Sequence, residues 1–477
     1  MSHRATLSRT SLFTALAVVA ALSGCASVSL EQSLDRVNTE AADFTGGQVA
    51  LARTREEQDQ RANTSARLLS QPLGQTEAVQ LALANSAALQ ALLAQAWAET
   101  ASAAQSGRIA NPVFGWERLS TGSDLELNRA LSFGLLDVLT LPARQGIAQR
   151  RIEQAQLHLT GEVVDHVTQV RQAWVRAVAS RQTLTYAQQV LESAEASAEL
   201  ARRMQSVGNY NRLTRAREQA FYADAASRLA AAGHEATARH EELVRLLGLS
   251  ESQAQQLQLP DRLPELPNKA LSPEVVGQLA SKERLDVRLA QSAFASAGRL
   301  QGLNTVTSLT DIELTARRNT QWSSAAGTRS DQRGYEIGVR LPIFDWGGLQ
   351  RQAWNARTLA AANQLESTIR SAGSGLRESY SAYRTAHDIA RHFRDEVVPV
   401  RKVISEENQL RYNGMIIGVF ELLADARDQV NAVIGAINAE QQFWLADAAL
   451  QASLMGRPTQ TALSASSGPT ASNSTGH

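Results

Sequence analysis

Residues 365–404 read LESTIRSAGSGLRESYSAYRTAHDIARHFRDEVVPVRKVI, and the spacing of their apolar side chains decides the fold. Leu365, Ile369, Ala372, Leu376, Tyr380, Tyr383, Ala386, Ala390, Phe393, Val397, Val400 and Ile404 recur by threes and fours, the seam of a coiled coil. With its flanks the pattern predicts a helix over roughly Leu349 to Arg411, which at ~1.5 Å per residue extends about 90 Å. No compact globule needs such a length. Pro399 sits inside it without an N–H to donate and predicts a kink there.

Outward from this stretch, Ile152, Ala155, Leu159, Val163, Val167, Val170, Trp174 and Val178 repeat the pattern and predict a second long helix over roughly Arg144 to Ser206. Ahead of each long helix lie segments of strand length. Leu125, Leu127, Leu131, Phe133 and Leu135 alternate with polar or small residues, as do Tyr335, Ile337, Val339 and Leu341. Leu127 and Ile337 are therefore expected on an apolar face, Asn128 and Gly338 on a wet one. Their partners are read near Asn111–Thr121, where Phe114 and Trp116 share a face, and near Thr305–Asn319. Strands of about ten residues can cross a bilayer when tilted, yet four are too few to close a barrel, so several chains would have to share one.

The chain is thus an internal duplication: helix, strand, strand, very long helix, glycine turn, helix. Leu93-Ala94-Gln95 matches Leu289-Ala290-Gln291, and Ala216-Arg217-Glu218-Gln219 matches Ala426-Arg427-Asp428-Gln429 at a spacing of 210, with Gly208 and Gly414 preceding them. The repeats occupy 76–259 and 273–456. Pro260, Pro264, Pro267 and Pro273 punctuate the linker over 260–272, which no helix could cross. Residues 457–477 are Ser/Thr/Gly/Pro-rich and expected to be disordered.

Lys+Arg 47 against Asp+Glu 47 gives a net charge of zero, which offers no basic footprint for nucleic acid. The residues are 43% hydrophobic but only 5% aromatic, so the apolar surface is carried by Ala, Leu, Val and Ile, a helix-weighted choice. The single cysteine forbids an intrachain disulfide. It is Cys25, at the end of Leu22-Ser23-Gly24-Cys25, behind the basic Arg4 and Arg9 and an apolar run from Leu12 to Leu22. That is a signal segment over 1–24 with its processing point. The tetrapeptide resembles the lipobox of bacterial lipoproteins, which implies that Cys25 is lipidated and heads the mature chain. Residues 25–75 then read as an extended leader. No later stretch has the ~18 to 20 apolar residues of a spanning helix, so any other membrane crossing falls to strands.

The duplicated plan, with Leu341-Pro342-Ile343-Phe344-Asp345-Trp346-Gly347-Gly348 at a strand-to-helix junction and Tyr412-Asn413-Gly414 before Leu422-Leu423-Ala424-Asp425-Ala426-Arg427, resembles the TolC-like outer-membrane efflux factors over about 75 to 457. The resemblance implies a mostly α chain with a small β part. Three chains would share a 12-stranded outer-membrane β-barrel and a long periplasmic α-barrel. It further implies a homotrimer set in outer-membrane lipid, fed by a periplasmic adaptor and an inner-membrane pump. The alternative is a periplasmic coiled-coil lipoprotein acting as adaptor or envelope scaffold, which leaves the paired strands unexplained.

No Gly-rich phosphate loop, Gly-x-Ser-x-Gly elbow or His-Glu-x-x-His pair is present, so neither hydrolysis nor a cofactor has visible machinery. The histidines lack i,i+4 spacing, and no metal site is expected. The long helices reverse at Gly208-Asn209 and Gly414-Met415, where glycine permits left-handed backbone. The resemblance makes these tips the adaptor contact. Glu421 and Asp425 follow at i,i+4, with Asn211 and Arg215 at the matching places of the first half, and the resemblance makes the acidic pair a candidate pore entrance.

Overall fold

A computed structural model describes residues 30–280, 284–323 and 326–459. Cys25, the signal segment before it and the tail beyond residue 459 lie outside the described residues. The chain forms two compact units. Of the described residues, a sheet unit gathers 30–36, 95–157 and 289–366, and a helical unit gathers 37–94, 158–288 and 367–459.

The sheet unit carries β1 (Val113–Thr121), β2 (Asp124–Gly134), β3 (Ile312–Ser323) and β4 (Thr328–Val339). They form one antiparallel sheet in the order β1-β2-β3-β4. The central pairing joins the two repeats, Leu125 opposite Trp322 and Gly134 opposite Glu313. β1 and β4 are left as edges. Thr305–Thr307, expected to begin a strand, instead end the preceding helix, Leu285–Thr307. The β-branched run reads as strand, but the hydroxyls of Thr305 and Thr307 donate to the carbonyls of Gln301 and Leu303, one helical turn back (3.0 and 3.3 Å).

The two long hairpins have the same dimensions. Leu141–Ser206 is one helix of 66 residues, and its return helix, Arg212–Leu247, has 36. The second ascent runs from Gly348 to Asn413, again 66 residues, and its return, Val419–Leu454, has 36. Where Pro399 predicts a kink, the helix passes through a π-helical turn, Phe393–Val397, in which the Val398 N–H reaches back to the Phe393 carbonyl. The wider turn absorbs the hydrogen bond that proline cannot make.

Part of the predicted seam is buried in the helical unit, while Ile369, Val400 and Ile404 are exposed. Val163, Val167, Val170, Trp174 and Val178 are buried, and the Trp174 indole N–H donates to the Leu73 carbonyl (2.7 Å). In the second repeat Tyr383, Ala386 and Ala390 pack on Phe443, Ala446 and Leu450. The proline-punctuated linker lies against these helices: the carbonyl of Pro264 accepts from the Trp444 indole (3.1 Å), and that of Pro267 faces Nε2 of the buried His387 (3.0 Å). His387 is thus an interhelical core residue. Among the described residues no His, Cys, Asp and Glu cluster could hold a metal, and no helix is long and apolar enough to cross a membrane.

The leader departs from expectation. Rather than running extended, it forms helices Leu30–Glu40, Ala42–Thr45 and Arg55–Leu69. The last opens on a capping box in which Thr54 and Glu57 satisfy each other's backbone N–H groups. Val37, Phe44, Val49, Leu69 and Leu73 are buried, which places the leader in the core. The charge from Arg53 to Arg61 hid this, because those residues form the solvated side of the third helix.

Each return helix ends on a left-handed glycine against the other end of its own repeat. A Cβ at Gly248 (φ +66°) would stand 2.8 Å from Ser86 Cα, and one at Gly456 (φ +84°) 2.9 Å from the amides of Leu285 and Asp286. Both the backbone angle and the close approach require glycine there.

Candidate functional site

Cross-strand pairing sorts the strand side chains onto two faces. One carries Phe114, Leu131, Ala316 and Tyr335 abreast, then Phe133, Leu314 and Ile337, then Ile312 and Val339. Most of these large apolar groups are exposed in the single chain. Leu341, Ile343, Phe344 and Trp346 continue the exposed apolar surface past the strand ends toward the second long helix. The opposite face carries Glu117, Asn128, Asn319 and Gln332 abreast, and five carboxylates in all (Glu117, Asp124, Glu126, Glu313, Glu336) against one guanidinium, Arg317. Asn128 and Gly338 lie on this polar face, and Leu127 and Ile337 on the other, as the alternation predicts. Leu127, however, sits between Arg118 and Thr320, beyond the apolar rows.

At the other end of the hairpins, the first turn is closed by amides of Asn209 and Tyr210 donating to the Met204 carbonyl (2.9 and 3.2 Å), around Gly208 at φ +83°. Asn211 caps the return helix, its side chain accepting from the Thr214 amide (2.8 Å). In the second turn Gly414 has φ −80°, so it is not the left-handed residue. That role falls to Met415 at φ +56°. Glycine at 414 pointed to the turn but not to the residue that reverses it. Val207, Met415 (94% exposed) and Ile416 (73%) stand out at the tips as bare apolar groups. Apolar residues in turns, where polar ones are the rule, were the available signal. The Tyr210 phenol, beside Tyr412 of the second hairpin, has its pKa raised by burial first and then by Tyr412.

The helix ends correct the internal alignment. Asn211 and Gly418 are the N-caps of the two return helices, 207 residues apart, rather than the 210 of the short sequence match. Thr214 is therefore the counterpart of Glu421, and Glu218 that of Asp425, instead of Asn211 and Arg215. Glu421 is exposed, while Asp425 is only 7% exposed and Glu218 only 2%. The Glu218 carboxylate accepts from the Ser197 hydroxyl (3.0 Å), whereas neither Asp425 oxygen has a hydrogen-bond partner. The i,i+4 pair thus splits into one solvated and one buried carboxylate. Nearby, Arg427 stacks over the Phe221 ring (4.7 Å) and Arg401 pairs with Asp428 (3.0 Å), which ties these helices together.

Residues 276–456 match the family described as Outer membrane efflux protein. No curated protein sequence matches the chain at a significant level. Among solved structures, the chain is similar to the Campylobacter jejuni CmeC outer membrane channel, with 14% identity and a TM-score of 0.66 over 87% of this chain and 90% of that one. It is similar to the Neisseria gonorrhoeae MtrE outer membrane channel in its open state, at 18% identity and a TM-score of 0.65 over 83% and 91%. A membrane protein from Pseudomonas aeruginosa matches at 20% identity and a TM-score of 0.65 over 82% and 93%.

Proposed function

We propose that this chain, a TolC-like outer membrane efflux protein by the domain over residues 276–456 and by its fold, is the outer-membrane exit channel of a tripartite efflux system. The observation that carries the reading is the open four-stranded sheet, apolar and exposed on one face, acidic on the other, with unpaired edges at β1 and β4. Such a sheet cannot rest in water as a single copy. Pairing β4 of one chain with β1 of the next in a homotrimer closes twelve strands, turns the apolar face to outer-membrane lipid and the acidic face to a water-filled duct. The long helices then form the periplasmic conduit. A sheet of this kind gives the coiled-coil adaptor or scaffold alternative nothing to explain it.

The chain does no chemistry on its cargo; an inner-membrane pump supplies the energy and a periplasmic adaptor docks at the hairpin tips. Around Gly208, Asn209, Gly414 and Met415, the exposed Val207, Met415 and Ile416 offer the adaptor an apolar footing. Glu421, solvated and tripled by symmetry, is the pore-entrance carboxylate, and the buried Asp425 stands behind it. Cys25 bears the lipid that tethers the mature chain in the outer membrane of a Gram-negative cell, and Cys25→Ser should leave unprocessed precursor.

The test is reconstitution of the full-length protein in planar bilayers. Trimers with large, cation-preferring conductance are expected, and Glu421→Gln should lower the cation preference without preventing assembly. Ile337→Arg, in the apolar rows, should block insertion at a cost of about 2 to 4 kcal/mol per chain, while Gly338→Arg and Leu127→Arg are tolerated. Absence of channels, or equal damage from all three arginines, would reject the reading.

A further inference from the structure

The lipid-facing side of the sheet does not stay apolar to the strand tips. One register step beyond the Phe114-Leu131-Ala316-Tyr335 row, four strands present Trp116, Arg129, Arg318 and Arg333 side by side. Arg118 and Arg329 lie in the next two rows, and the only carboxylate on this face is Asp331. Five guanidinium groups against one carboxylate here stand back to back with five carboxylates against one guanidinium on the other face. The sequence hides this segregation, because the arginines are scattered over four strands and only pairing brings them abreast.

The cluster has a fixed core and free members. Arg129 donates to the hydroxyl of the buried Thr320 (2.5 Å), which donates to Asp331 (2.7 Å). Asp331 also holds Arg318 (3.4 Å) and Arg329 (3.3 Å), and Arg329 lies over the Trp322 ring (5.4 Å). One carboxylate cannot neutralise three guanidiniums. Among the described residues, Arg118 and Arg333 make no side-chain hydrogen bond or ion pair. Arginine on a lipid face costs a few kcal/mol at the bilayer midplane and almost nothing at the interface, so the row marks where hydrocarbon ends. Trp116 and Trp322, interleaved with it, are residues that favour that same depth. The row lies on the hairpin-turn side of the apolar band, away from the strand ends that run into helices.

Resting on the channel reading above, we propose that these arginine rows are a docking surface for the phosphate groups of anionic lipid in the outer leaflet. The layer just outside the hydrocarbon is where lipid phosphates sit, and the planar guanidinium fork fits two phosphate oxygens at once. Arg118 and Arg333 are the arms free to close on such a group, with Arg129 and Arg318 held between them. Repeated around a trimer, the rows would collar the barrel with bound headgroups and fix its depth.

The experiment uses the full-length trimer in phosphatidylcholine nanodiscs, titrated with lipid A, a doubly phosphorylated glycolipid, and read by native mass spectrometry. Wild type should bind lipid A, and R118Q/R333Q, which leaves the Thr320–Asp331 core intact, should bind roughly fivefold less tightly for each arginine removed. R118K/R333K should recover part of the affinity, since it restores charge without the fork, and R317Q on the opposite face should change nothing. Equal affinity in wild type and R118Q/R333Q would overturn the proposal. So would undiminished binding of dephosphorylated lipid A, or displacement by millimolar inorganic phosphate. A chain that forms no conducting trimer in any bilayer would remove the channel reading and this proposal together, whereas normal conductance with arginine-independent lipid binding removes this one alone.

Discussion

The two long hairpins share one frame, 66 residues up, a five-residue turn and 36 down, but fill it differently. The first rises as an unbroken α-helix, turns on Gly208 and satisfies its buried carboxylate, Glu218, with Ser197. The second rises through a π turn, reverses on a left-handed methionine and buries Asp425 with no partner. Duplication kept the lengths, which packing at both ends demands, and let the interiors diverge. The second hairpin therefore holds the more strained turn and the less settled charge.

The strongest challenge to the common frame is at its closures. Gly248→Val and Gly456→Val should each cost about 3 kcal/mol or more, combining left-handed strain with overlap against backbone. Loss of folded protein and a lower apparent melting temperature in both would support the shared frame, and damage from only one would break it.

Next is a pH dependence carried by a buried acid of the second hairpin. Asp447 accepts from Gln451 (2.6 Å), which in turn accepts from Arg171 (2.6 Å). Burial pushes the Asp447 carboxyl up to about 6, with the Arg171 charge pulling the other way. Because the folded chain holds this proton more tightly than the unfolded one, stability should rise as pH falls from about 6 toward about 4, by up to about 3 kcal/mol, and be lost on the way back up. Asp447→Asn should remove this contribution to the melting-temperature slope across that window, leaving those of Glu440, raised by burial, and His166, lowered by burial. The register counterpart in the first hairpin, His240, contributes no such buried acid; an unchanged slope in Asp447→Asn would place the titration elsewhere.

The buried carboxylates should respond with opposite signs. Asp425→Asn relieves an unpaired charge and should stabilise by about 1 kcal/mol, while Glu218→Gln weakens the bond from Ser197 and should destabilise by about as much. Parallel changes in denaturation midpoint would mean that the two sites are equivalent after all. The smallest effect is at the turns: Met415→Gly should gain somewhat under 1 kcal/mol and Gly208→Met lose a similar amount, measured the same way.

Much of this architecture is written in periodicities that single residues cannot hide. The threes and fours from Leu365 to Ile404 and the alternation from Leu125 to Leu135 locate the long helices and the strands, because each pattern repeats over many residues. What failed was local. The Ala-Arg-Glu/Asp-Gln match put the repeats 210 apart, three residues from the true 207, nearly one helical turn, so the wrong alignment still placed matching residues on much the same face. The arginine rows were illegible because they exist only across strands. Glu421 and Asp425 looked alike because spacing along one helix says nothing of which neighbour covers each residue. The leader reads as extended because its charge advertises the solvated side and its core contacts lie far away in sequence.

The π turn before Pro399 resets which side of the helix its later residues occupy. An α-helix turns about 100° per residue, so a turn that takes in one extra residue sends everything after it round by about that angle relative to the seam before it. Tyr383, Ala386 and Ala390 precede it and are buried within the chain, while Val400, Val403 and Leu410 follow it and are more than half exposed. The phase slip thus brings Val400, Val403 and Leu410 onto an open side of the helix, where, on the channel reading proposed above, an adjacent chain would cover them. A single inserted residue in this way marks where along the helix the buried apolar groups at Tyr383, Ala386 and Ala390 give way to exposed ones.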